Sequence, residues 1–115
     1  MFTSTRNRGF QMTFKNGLTI SVQWGTGNYC ERKNRQTSYR GDMDGATPIV
    51  KSADAEIAIW NEEQVWFDFG NDNVKGWVEA DEVAKWIYLA QSAPDIYHVK
   101  HIAKDWEMIE DRISE

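Results

Sequence analysis

Cysteine is nearly absent from this chain. Cys30 stands alone among 115 residues, so no disulfide can close within it. That excludes the disulfide-stapled secreted scaffolds and favours a reducing compartment. Histidine is almost as scarce, with His98 and His101 only. No stretch approaches the ~20 consecutive apolar residues of a membrane-spanning helix. The first ten residues, Met1 to Phe10, carry Arg6 and Arg8 and lack the apolar segment of a signal peptide. These absences lead to the expectation of a cytoplasmic protein with no membrane partner. Repeats, low-complexity tracts and an internal boundary are also missing, so the expectation is one domain over residues 1–115. A chain of this length buries roughly two-thirds of its unfolded surface, enough for a core.

Aromatic residues are plentiful instead: six Trp, four Tyr and five Phe. They combine large apolar area with polar tips, which suits cores, interfaces and base-stacking pockets. The net charge of −5 is unevenly spread. Residues 1–53 hold eight Lys/Arg against three Asp/Glu, a balance of +5. Residues 54–115 hold five against fifteen, a balance of −10. The acidic half repels a long polyanion, so no nucleic-acid partner is expected. The basic cluster of Arg32, Lys33, Arg35 and Arg40 still attracts a small anion.

The hydropathy pattern changes period along the chain. Phe10, Met12 and Phe14 alternate with polar residues, as do Leu18, Ile20, Val22 and Trp24, and Asn16-Gly17 lies between the runs. A two-residue loop would throw the two apolar rows onto opposite faces. A three-residue loop, Lys15-Asn16-Gly17, pairs Phe14 with Leu18 and Met12 with Ile20. It therefore predicts a type I turn with Gly17 left-handed in a bulge. Residues 31–47 read as a long polar loop, and Ile49-Val50 as a short strand. A second hairpin is expected from Glu56–Trp60 and Val65–Phe69 about a four-residue turn, 61–64. Trp60 would then oppose Val65. Ala58, Trp60, Val65, Phe67 and Phe69 would share one face, and Ile57, Ile59 and Trp66 the other. A strand over 74–78 follows. Then the period becomes helical: Val83, Trp86, Ile87 and Ala90 after a cap at Asp81. Ser92-Ala93-Pro94 ends that helix. A second one, capped by Asp95, carries the stripe Ile96, Val99, Ile102, Ala103, Trp106, Ile109 and Ile113. The expected class is α+β: an N-terminal antiparallel sheet of five or six strands with two hairpins, followed by two C-terminal helices.

Catalytic and metal signatures are weak. His98 and His101, with Asp105 one turn on, lack a completing Cys or His and read as a solvated helix surface, so no metal site is expected. Neither histidine has a nucleophile context around Cys30 or a serine. Gly25-x-Gly27 lacks the third glycine and the following helix of a dinucleotide fingerprint. It reads as a strand-end turn or as an anion-binding nest. Tyr29, Arg32 and Lys33 follow it, a ring for a base and two cations for a phosphate. Arg40-Gly41-Asp42 is a coincidental adhesion tripeptide. Carboxylate pairs such as Asp68 with Asp72, or Asp81 with Glu82, belong to a generally acidic half. Asn71 and Asn73 read first as turn formers.

Two stretches carry a resemblance. KNGLTISVQWGTGNYCERK, Lys15 to Lys33, resembles a strand–NG–strand–QWG–x–GNYC pattern of small bacteriophage-encoded proteins. AEIAIW, WFDF and VKGWVEADEVAKWI, spread from Ala55 to Ile87, look like the second half of the same proteins. The layout is also similar to the phage Thoeris anti-defence sponges, which oligomerise and sequester cyclic ADP-ribose-type signals without cleaving them. The resemblance implies a non-enzymatic, cofactor-free immune-evasion protein of the host cytoplasm. It would be homo-oligomeric and hold a small nucleotide-derived ligand. The candidate ligand-binding residues are Tyr29, Arg32 and Lys33, then Trp24, Trp66 and Asn73, with Lys104 and Arg112 as cations of the last helix. Two other readings stand beside it, ahead of a fourth, an enzyme that turns the signal over. One is a protein-blocking inhibitor of a host defence complex, whose acidic half mimics nucleic acid. The other, ranked lower, is a nucleic-acid-binding module using the basic loop.

Overall fold

In the computed structural model, the described residues are 1–5, 8–25, 28–30, 51–70 and 72–109. They form a five-stranded antiparallel sheet followed by two helices, the α+β class expected. The strands are β1 (Phe2–Ser4), β2 (Gly9–Thr13), β3 (Thr19–Gln23), β4 (Asp54–Trp60) and β5 (Lys75–Glu79), lying side by side in sequence order. The helices are α1 (Ala80–Ser92) and α2 (Val99–Asp105), joined through a 3₁₀ turn at Ile96–His98. The expectations for 31–47 and for Ile49-Val50 lie outside the described residues.

The first hairpin follows the alternation. Met12 pairs with Ile20 and Phe10 with Val22, so both apolar rows face one way. Gly17 has φ +88°, and its N–H donates to the Phe14 carbonyl at 3.0 Å. This is the left-handed third position of a three-residue loop. Asn16, at the loop tip, has a long-range task. Its side-chain amide donates to the carbonyls of Ala90 (2.8 Å) and Ala93 (2.6 Å), and its Oδ1 accepts the Leu18 N–H. The last carbonyls of α1 lack intrahelical donors, and Asn16 supplies them from the sheet.

The second hairpin corrects the expected register. Asn61 N–H donates to Val65 O, Gln64 N–H to Asn61 O, and Trp60 bridges Trp66. The loop is therefore three residues, 62–64, and Gln64 takes the left-handed conformation at φ +66°. Asn61 Oδ1 fixes it by accepting the N–H groups of Glu63 and Val65. One residue of slip exchanges the faces. Ile57, Ile59 and Phe67 point into the core, while Trp60 and Trp66 stack together on the other side at 4.7 Å. Residues 65–69 add only that one bridge. The fifth strand is β5, which pairs with the first half of β4 across a bulge at Gly76-Trp77. The N-terminal strand β1 had no sequence expectation.

The core lies between the sheet and the helices. Trp86, fully buried, contacts Phe67 and Phe69, and its indole N–H donates to Glu82 one turn earlier at 3.0 Å. Asp81 is not the cap expected; Glu79 occupies that place without a side-chain hydrogen bond, and Asp81 sits in the first turn. Its charge there still suits the positive end of the helix. Asp95 does cap, accepting Tyr97 and His98 N–H groups, but it starts the 3₁₀ turn. The stripe does not run helically to Ile113. α2 stops at Asp105 because Glu107 turns left-handed at φ +56°, with Met108 N–H bonded to Ala103 O and Glu107 N–H to Lys104 O. Met108 and Ile109 return to the core through that turn.

Candidate functional site

α1 packs on β3, β4 and β5. Where β3 leaves the sheet, β4 enters it and β5 passes into α1, the two layers separate. A cleft of about 510 Å³ opens there. Phe10, Val22, Trp24, Ala55 and Val78 form its sheet wall, and Val83, Ala84 and Ile87 its helix wall. Four alanines at the lining, Ala53, Ala55, Ala80 and Ala84, leave the space that larger side chains would fill. The Trp24 ring stands edge-on to Phe10, centroids 6.2 Å apart at 69°. The rim is polar: Lys51, Ser52 and Asp54, with the Ser52 hydroxyl donating to the Asp54 carbonyl at 2.7 Å. The volume falls in the range of small-molecule sites, which are apolar with a few placed polar groups.

Of the residues expected from the sequence, the structure places Trp24 in this cleft. Tyr29 lies on the opposite side of the sheet. Its ring packs against Trp77, centroids 5.7 Å apart, and its N–H donates to Glu56, a residue of the outer face. Trp77 holds φ +51° in the β5 bulge, its N–H on the Tyr29 carbonyl. A Cβ on Gly76 would come within 2.6 Å of Tyr29 Cβ, so glycine permits this approach. Trp66 is at the far end of the sheet on Trp60. Asn73 is exposed in the turn before β5, and Lys104 is in the last turn of α2. Arg32, Lys33 and Arg112 lie outside the described residues. The described candidates are thus spread over separate surfaces.

The Gly25 turn closes on itself: Gly25 N–H donates to Asn28 Oδ1, and Asn28 N–H returns to the Gly25 carbonyl. Thr26 and Gly27, on which a nest would depend, lie outside the described residues. Cys30 is buried, its sulfur 3.8 Å from the Gly25 carbonyl. His98 and His101 are exposed beside Asp95 and Asp105 at 2.7 and 3.6 Å. The hydrogen bond from the His98 ring, with its charge, holds the Asp95 carboxyl below the usual carboxylate range against a smaller opposing effect of desolvation. Among the described residues, no three His, Cys, Asp or Glu side chains gather as a metal site requires. No helix there is long and apolar enough to cross a membrane.

Sequence reasoning chose Trp24 but missed the rest of the cleft. Lys51 and Asp54 look like ordinary loop charges. The signal available was the set of alanines in and around β4 and α1, which becomes a cavity only when the strands are laid in order. Comparison with protein-family models, with curated proteins and with solved structures returns no match.

Proposed function

We propose that this protein is a phage immune-evasion factor that captures a nucleotide-derived signalling molecule in the cleft and does not cleave it. The observation that carries this reading is the cleft itself: apolar, about 510 Å³, walled by Trp24 and Phe10, with Lys51 at its rim. An indole face accepts a base, and a rim cation accepts a phosphate. Stacking contributes roughly 1–3 kcal/mol per base. Capture at nanomolar strength needs about −12 kcal/mol, so charge-assisted bonds in a water-poor cleft must contribute much of the difference. The similarity of Lys15–Lys33 and Ala55–Ile87 to small phage proteins supports the same reading, and the host cytoplasm is its place of action.

The test is to incubate the protein with cyclic ADP-ribose isomers and cyclic oligonucleotides, remove it, heat-denature it and analyse what is released. Intact ligand in the released fraction is expected. No depletion of any of these molecules, with no thermal shift, overturns the proposal, and a chemically altered product indicates an enzyme.

A second reading, a protein-blocking inhibitor, is favoured by the exposed aromatic pairs Tyr29–Trp77 and Tyr88–Trp106. Tyr and Trp are enriched at protein interfaces. A stoichiometric host protein in a pull-down, with no small ligand retained, supports that reading instead.

A further inference from the structure

The outer edge of the sheet is built to take a strand. β1 pairs with β2 so that Phe2 opposes Met12, Thr3 opposes Gln11 and Ser4 opposes Phe10. Met1 and Thr13 exchange both hydrogen bonds, and Thr5 N–H donates to Gly9 O. Bonded and non-bonded pairs alternate along an antiparallel ladder. Thr3 therefore spends its N–H and C=O on Gln11, while those of Phe2 and Ser4 point outward, away from β2. Helix α1 packs over β3, β4 and β5, so it does not stand against this edge.

We infer that β1 is the seam of a two-fold dimer, in which a second copy of this chain lays its own β1 antiparallel along the free edge. The edge is self-complementary. With Thr3 opposite the second copy's Thr3, each Phe2 meets a Ser4, and all eight outward N–H and C=O groups pair in four hydrogen bonds. Counted over Phe2–Ser4 alone, the registers that place Phe2 on Phe2, or Ser4 on Ser4, pair only half of these groups. The side chains agree with the same register. Phe2 is 76% exposed on the helix side of the sheet, and Ser4, which it would oppose, is small. The large ring of one copy then fills the space over the serine of the other and reaches towards Phe10. The two Phe2 residues become diagonal neighbours, about 7–8 Å apart along the seam, a spacing that aromatic side chains can bridge. Edge strands are commonly guarded by lysine, proline, an inward charge or a bulge. Phe2-Thr3-Ser4 has no charged side chain and no proline, and its ladder with β2 is regular. Among the described residues its one protection is shortness: the Phe2–Ser4 seam holds four bonds and stays well under the ~1,000 Å² of a stable complex. The dimer is accordingly weak and concentration-dependent. It is independent of the ligand reading above.

Sedimentation equilibrium of the untagged full chain, from micromolar to millimolar concentration, tests this. A monomer–dimer equilibrium is expected. Ser4→Pro removes an outward N–H and leaves the β1–β2 ladder intact, so the dimer dissociation constant rises at least about tenfold, while the unfolding midpoint of the dilute, monomeric chain is unchanged. Phe2→Lys, which places a guarding charge at the seam, has the same effect should the proline variant fail to fold. A wild-type chain that stays monomeric to millimolar concentration overturns the inference. So does a dimer that survives in a folded variant of either kind.

Discussion

The two hairpin loops make the same backbone turn with different residues. Loop 15–17 closes with Phe14 N–H on Leu18 O and Gly17 N–H on Phe14 O, and loop 62–64 closes with Asn61 N–H on Val65 O and Gln64 N–H on Asn61 O. In the first, the left-handed third position is a glycine; in the second it is Gln64. The loops also sit side by side, since a Cβ on Gly17 would come 2.7 Å from Glu62 Oε1. The difference lies in what secures each turn. Gly17 takes its conformation freely, and Asn16 is released to hold α1. Gln64 is held in a conformation that costs a non-glycine residue about 1 kcal/mol or more, and Asn61 offsets this with two local hydrogen bonds.

Substitutions break that comparison in graded steps. Asn16→Ala strips donors from two part-buried helix carbonyls and costs roughly 2–3 kcal/mol, the largest effect, read from urea unfolding. Gly17→Ala forces a Cβ into the left-handed region and costs about 1–2 kcal/mol, because the Glu62 side chain can swing aside while the backbone cannot. Gln64→Gly works in the opposite direction. It relieves the turn and, after the greater chain entropy of glycine, raises stability by about 0.5 kcal/mol. The two glycine-site variants shift the midpoint in opposite directions if the loops share one geometry.

The smallest effect is at the Asp95 cap. Its carboxyl is held below its ordinary range by His98, so it favours the folded state above the ordinary aspartate pKa. That contribution fades as the pH falls through this range to the lower folded-state value. Wild type and Asp95→Asn should therefore converge in stability on acidification, as thermal unfolding across acidic pH will show.

Where one local rule decides the structure, the sequence is a sufficient guide. The alternation of Phe10, Met12 and Phe14 with Ile20 and Val22 allowed one loop length, and the glycine marked its third position. In the second hairpin nothing marked Gln64, and a loop counted one residue too long turned every side chain over. The stripe Ile102, Ala103, Trp106 and Ile109 keeps helical spacing past the end of α2, because residues beyond a C-terminal turn can still return to the same core. β1 is too short, and too polar after Phe2, to be read from periodicity. Asn16 meets α1 more than seventy residues away, a contact with no local signature. The cleft is hidden for the same reason: Trp24, the stretch from Lys51 to Ala55, and Ala84 come from three separated segments, and only the order of the strands assembles them.

The most direct measurement is native mass spectrometry of the wild-type chain and of Ala84→Trp, each incubated with cyclic ADP-ribose isomers and cyclic oligonucleotides. Ala84 is exposed on α1 at the cleft wall, so the indole occupies the cleft without entering the core. The account predicts a one-to-one adduct on each wild-type chain and none on Ala84→Trp. No adduct on the wild type, or the same adduct on both proteins, contradicts it.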